Sequence, residues 1–110
     1  MKFSVAILAR AQSDVDQIYD WLNKRSPSGA LRWYAAFCEA IRELQEDAGR
    51  FPIASETASL SVEVREELFR TRRGRRYRLL FTIIDQQVRI LRVRGPGQPP
   101  VESVDVGDKS

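Results

Sequence analysis

Residues 77–94 constrain this chain more than any other stretch. Tyr77-Arg78-Leu79-Leu80-Phe81-Thr82-Ile83-Ile84 leads through Asp85-Gln86-Gln87 into Val88-Arg89-Ile90-Leu91-Arg92-Val93-Arg94. In the first run Tyr77, Leu79, Phe81 and Ile83 alternate with Arg78, Leu80, Thr82 and Ile84. One face is wholly apolar, and the other is apolar apart from Arg78 and Thr82. Such alternation of branched and aromatic residues is a strand pattern, and a short turn between two such runs joins them as antiparallel partners. The segment is therefore a buried hairpin with guanidinium groups along its edges and at one mouth.

The arginine in this region is as unusual as its apolarity. Six of the nine residues from Arg70 to Arg78 are arginine, and residues 65–94 hold ten arginines against Glu66, Glu67 and Asp85. That is a local charge of +7 within a chain of net charge +3, which leaves −4 on the rest. A basic module on an acidic body predicts a polyanionic target or an acidic partner segment. Arginines that merely solvate strand edges are the plainer explanation. The expected partner- or phosphate-binding set is Arg65, Arg70, Arg72, Arg73, Arg75, Arg76, Arg78, Arg92 and Arg94. Charge reversal at Arg75 and Arg78 is expected to weaken binding and leave the fold intact.

The remaining sequence supplies the elements around the hairpin. Lys2 to Ala9 reads as a strand with two largely apolar faces, inside the sheet or under helices. Ser13 is the expected N-cap of a first helix, with Asp14 and Asp16 in its first turn and Val15, Ile18 and Leu22 on its apolar stripe. Pro27 suits the first turn of a second helix, expected from about Pro27 to Ala48 and carrying Ala30, Trp33, Tyr34, Phe37, Ala40, Ile41 and Leu44 at helical spacing. Trp21, Trp33, Tyr34 and Phe37 are expected in the core, as is Cys38. Residues 53–61 lack a period and read as an exposed loop. A strand from about Glu63 to Arg70 and a turn at Gly74 lead back to the hairpin. The order β-αα-βββ predicts an α+β domain: a small antiparallel sheet packed against a helical hairpin. Residues 1–94 are the expected domain, and the Gly/Pro-rich, acidic residues 95–110 the expected poorly ordered tail.

A chain of 110 residues buries enough surface to fold without disulfides. Its lone cysteine suits a reducing compartment, and the short apolar N-terminal run suits a strand rather than a signal peptide, so a cytoplasmic location without membrane contact is expected. With no histidine, one cysteine and scattered carboxylates, the sequence offers no metal-ligand cluster, and it has no glycine-rich phosphate loop. No cofactor is expected.

The sequence resembles the RelE/ParE toxin superfamily of bacterial type II toxin–antitoxin systems, in particular its ParE-like "plasmid stabilisation" branch. The resemblance rests on Ala11-Gln12-Ser13-Asp14-Val15-Asp16-Gln17-Ile18-Tyr19-Asp20-Trp21-Leu22, on a long second helix ending before Phe51-Pro52, on Val64-Arg65-Glu66 leading to Tyr77-Arg78-Leu79-Leu80-Phe81, and on Val88 to Arg94. It covers about Met1 to Arg94. It implies the fold just described and a cognate acidic antitoxin, with any oligomer expected to form through that antitoxin. It leaves the activity open: RelE-like members cut mRNA on the ribosome, whereas ParE-like members act on DNA gyrase.

Metal-free RNA cleavage needs a base, an acid and cations that stabilise the transition state. Cations abound here, and the resemblance aligns Arg78 with the arginine that helps hold the scissile phosphate in nuclease members. No acid–base group is equally evident. RelE-like nucleases place a tyrosine or histidine after the last strand, where this chain has Gly95-Pro96-Gly97-Gln98-Pro99-Pro100. Tyr77, Glu66 and Glu67 are the remaining candidates; the first alternates with core residues, and the glutamates are placed to pair with arginine. No catalytic residue is assigned, Arg78 being the best candidate if the chain is a nuclease. The expected function is that of a ParE-like toxin that binds a host protein such as gyrase and is neutralised by an antitoxin. A ribosome-dependent mRNA endonuclease and a non-catalytic nucleic-acid-binding module are the alternatives.

Overall fold

The computed structural model describes residues 2–107. Its elements are β1 (Ser4–Ile7), α1 (Ala9–Arg25), α2 (Pro27–Asp47), β2 (Arg65–Phe69), β3 (Tyr77–Ile84) and β4 (Gln87–Arg94), with 3-10 turns at Ala48–Arg50 and Ser55–Ser59. The class is α+β in the order β-αα-βββ, as the sequence predicts. The four strands run in the order β1-β4-β3-β2. β2, β3 and β4 are antiparallel neighbours, while β1 pairs parallel with β4, so the sheet is mixed rather than purely antiparallel.

β1 is an edge strand of only four residues rather than an interior one, and it lies under the helices as the alternative expectation has it, with Val5 and Ile7 packed against the helix-side core. It covers β4 only from Gln87 to Ile90. Beyond that point the chain turns away, Leu8 N donating to Ile90 O at 3.1 Å, and α1 begins. Asp14 on α1 then takes over the exposed strand edge. Its carboxylate accepts from Val93 N at 2.9 Å and from the Arg92 guanidinium at 2.7 and 3.1 Å. An edge that would otherwise offer a bare N–H is thus closed by a side chain.

The helix starts differ from the expected caps in one instance. α1 begins at Ala9, one turn before Ser13, and its N-cap position is Leu8. Ala9, Arg10, Ala11 and Gln12 are all good helix formers, and burial of Ala11 draws the extra turn into the fold. Asp14 is consequently freed for the β4 edge. α2 follows the sequence signal: Ser26 Oγ accepts from Gly29 N at 3.1 Å, with Pro27 in the first turn.

The helical hairpin covers one sheet face. Trp33, Phe37, Ala40 and Leu44 of α2 and Ala11 and Val15 of α1 pack on Phe69, Leu79, Phe81, Val88 and Ile90. Trp33 and Phe37 are core residues, but Trp21 and Tyr34 are 53% and 44% exposed and Cys38 is exposed. These three lie on the outer sides of the helices, where a pattern of spacing alone does not separate the inner stripe from its flanks.

The opposite sheet face is covered without an α-helix or a further strand of the sheet. Ala54, Val64, Leu80, Leu91 and Val101 form a second core, flanked by Leu60, Val62, Val104 and Val106. Two segments supply this cover: residues 51–64, where Ala54 and Glu56 are buried although an exposed loop was expected, and residues 99–106. The tail segment does not float. Val101 N donates to Glu56 Oε2 at 3.2 Å, Arg89 Nη1 to Val106 O at 2.7 Å and Arg94 Nη2 to Pro99 O at 2.7 Å. Apolar residues at 101, 104 and 106 fill the face that the helices leave bare. Residues 108–110 of the expected tail lie outside the described residues.

Candidate functional site: the arginine loop between β2 and β3

β2 and β3 end on the pair Phe69↔Tyr77, whose rings stack with centroids 5.8 Å apart. Trp33 closes on both, at 5.9 Å from Phe69 and 5.5 Å from Tyr77. This aromatic plug fixes the mouth of the hairpin. From it projects the loop Arg70-Thr71-Arg72-Arg73-Gly74-Arg75-Arg76, folded by a turn in which Gly74 N donates to Thr71 O at 3.1 Å. A Cβ at Gly74 would lie 2.2 Å from Thr71 Oγ1, so the tight turn holds only with glycine or a displaced threonine.

The structure divides the nine proposed binding arginines. Arg70, Arg72, Arg73, Arg75 and Arg76 are all exposed and make no hydrogen bond or ion pair with any described residue. The other four are occupied within the fold. Arg65 donates to Phe51 O at 2.6 Å and Gly49 O at 3.2 Å, fastening the chain that leaves α2. Arg92 is held by Asp14, and Arg94 by Pro99 O. Arg89, outside the proposed set, is buried between Gln87 and Val106.

Arg78 is held most firmly. Its two terminal nitrogens reach the two oxygens of Glu56, each at 2.7 Å, and its Nε reaches Glu66 at 2.9 Å. Glu56 is 3% exposed. The hydrogen bonds from Arg78, together with that from Val101 N, outweigh burial and hold the Glu56 carboxyl down at about 2. The same contacts push the Arg78 guanidinium up. An arginine with two carboxylates on three of its donors has little positive field to offer a phosphate.

The acid–base candidates fare no better as proton shuttles. Glu66 is spent on Arg78. Burial raises the Tyr77 phenol, with Arg75 offsetting part of the effect, so it is further from acting as a base at neutral pH. Glu67 is 3% exposed and faces α2; burial first, then the hydrogen-bonded carboxyl of Glu43, push it up to about 9. It lies on the helical side of β2, with Phe69, away from the loop.

Sequence reasoning missed Glu56 and Asp14. Glu56 is the one charged residue between Phe51 and Val62, and an isolated carboxylate in an uncharged, Ser/Ala-rich segment was the available signal. Among the described residues no group of three or more His, Cys, Asp or Glu side chains is placed to hold a metal ion, and no helix is long and apolar enough to cross a membrane.

What the arrangement offers is thus a projecting cluster of unneutralised guanidinium groups on a rigid aromatic base. A search of curated proteins returns no match. The solved structure of a chromosomal ParDE TA system from P. aeruginosa is similar over 86% of this chain and 96% of its own, with 24% sequence identity and a TM-score of 0.66, a likeness of fold. The model of the family described as ParE toxin of type II toxin-antitoxin system, parDE, matches residues 5–98, which span both helices, all but the first residue of the sheet and the arginine loop. The chain belongs to the ParE toxin family of type II toxin–antitoxin systems.

Proposed function

We propose that this toxin arrests growth by binding a host protein, with DNA gyrase as the target, and that a cognate antitoxin silences it through an acidic segment. The observation that carries the reading is the fate of the arginines. Five form a free cationic loop, while Arg78, the residue a nuclease reading requires at the phosphate, is enclosed by Glu56 and Glu66. Free cations without a neighbouring proton shuttle suit docking better than cleavage. The named ParDE system is a toxin–antitoxin assembly, which supports an antitoxin as the partner here.

Controlled induction in a bacterial host tests this. Growth should stop, mRNA 5′ ends should stay unchanged, and purified protein should inhibit gyrase supercoiling in vitro. New ribosome-dependent mRNA ends would favour the endonuclease and overturn the binding reading. Growth arrest with full supercoiling activity would remove gyrase as the target.

A further inference from the structure

Beside the arginine loop, a pocket of about 250 Å³ opens between the turn joining α1 to α2 and the loop. Trp21, Trp33 and Tyr77 wall it, and Arg25, Arg32 and Arg75 stand at its rim. Among the described residues no carboxylate lines it. Trp21 is 53% exposed although it is a large aromatic residue, and the Arg25 guanidinium lies over its ring at 3.7 Å from the centroid. Arg32 and Arg75 have no hydrogen-bond or ion-pair partner among the described residues. Arg75 belongs to both features, so the pocket continues directly into the row of free arginines.

A phosphate backbone would use the cations but leave the aromatic walls wet. A purely apolar partner would use the walls but strand the cations in a low-dielectric contact. A peptide segment with one aromatic side chain flanked by carboxylates satisfies both: the ring fills the pocket and the acids meet the rim and the loop. The volume accommodates one such side chain.

We propose that this pocket is the anchor point for an acidic segment of a partner protein, with a single aromatic residue seated among Trp21, Trp33 and Tyr77 and its acidic neighbours paired with Arg32, Arg75 and the loop. The assignment rests on the reading of the loop as a surface for an acidic partner, and adds to it a side-chain specificity that charge alone does not give.

Purified full-length protein is titrated with three fluorescein-labelled probes: a nine-residue Glu/Asp peptide with a central Phe, the same peptide with a central Ala, and a single-stranded oligonucleotide of equal charge. The Phe peptide should bind roughly tenfold or more tightly than the Ala peptide, and should shift the intrinsic tryptophan emission. Trp21→Ala, at an exposed position, should erase the preference for Phe while leaving residual charge-driven binding. Arg75→Ala should weaken both peptides, and Arg42→Ala on the outer side of α2 neither. Equal binding of the two peptides overturns the proposal, as does a Phe preference that survives Trp21→Ala. Tighter binding of the oligonucleotide than of the Phe peptide overturns it in favour of nucleic acid. The measurement does not depend on growth arrest, so loss of the toxin reading and loss of the pocket are separately observable.

Discussion

Charge reversal at Arg75 places a carboxylate in solvent among free arginines, whereas reversal at Arg78 places a third carboxylate beside Glu56 and Glu66. Arg75→Glu should leave the urea midpoint within experimental scatter and weaken binding of an acidic partner. Arg78→Glu should destabilise the fold by about 3–5 kcal/mol, because it leaves the buried Glu56 uncompensated. From sequence the two positions look alike, both being arginines of the same hairpin. What separates them is Glu56, 22 residues away and brought in by a loop with no periodicity. The two buried glutamates also carry opposite pH signatures. Glu56, at about 2 in the fold against 4.5 ordinarily, contributes stability that is complete above about pH 4.5 and lost as the pH falls towards 2. Glu67, at about 9 against 4.5, imposes a cost that begins above pH 4.5 and grows until about pH 9. Glu67→Gln keeps the shape and removes the ionisation. It should add about 2–4 kcal/mol at pH 8 and little at pH 4.5, measured by urea unfolding at both values. An equal gain at the two pH values would assign the effect to packing.

At the scale of elements, the parts legible in the sequence are those with a period. β3, β4 and α2 stand close to where alternation and helical spacing put them, and Phe81 sits at 0% exposure where its strand face predicts it. Phe81→Ala should therefore cost about 3–5 kcal/mol in urea unfolding. The parts not legible are those whose order comes from long-range partners. Residues 51–64 and 99–106 have turn-forming or acidic composition, yet they close the sheet face opposite the helices. Val101, Val104 and Val106 carry too short a pattern to distinguish cover from tail. Their role is testable by truncation after Gln98, which removes buried Val101, its N–H bond to Glu56 and the carbonyl partner of Arg89. The truncated chain should lose about 2–4 kcal/mol and become more sensitive to limited proteolysis within residues 53–62. An unchanged midpoint would show that the segment does not cover the sheet in solution.

Over the whole molecule, composition reveals how much charge there is but not how much of it is free. Ten arginines in residues 65–94 suggest a basic face spread along the hairpin, but Arg65, Arg78, Arg89, Arg92 and Arg94 are consumed as staples between segments. The positive field that a partner meets is concentrated at one end, in the five loop arginines; of the α2 carboxylates, Glu39 and Glu43 border a cleft beside Arg70 and Arg76, and Glu46 and Asp47 follow in the last turn of the helix. An asymmetric field of this kind acts on encounter more than on residence, and within about 10 Å at 0.1 M salt. Neutralising Arg70, Arg72, Arg73 and Arg76 together to glutamine should slow stopped-flow association with a glutamate-rich, Phe-containing peptide by about tenfold or more at low salt and flatten its salt dependence. The dissociation rate should change far less, since Arg75 and the aromatic pocket remain. Arg92→Gln, which removes one arginine held in a structural pair, should lower the unfolding midpoint yet leave the association rate of the folded fraction nearly unchanged, whereas the single loop change Arg73→Gln should slow it. If the two single variants slow association alike, total charge rather than the exposed loop governs encounter, and the arginine loop loses its claim to be the docking surface.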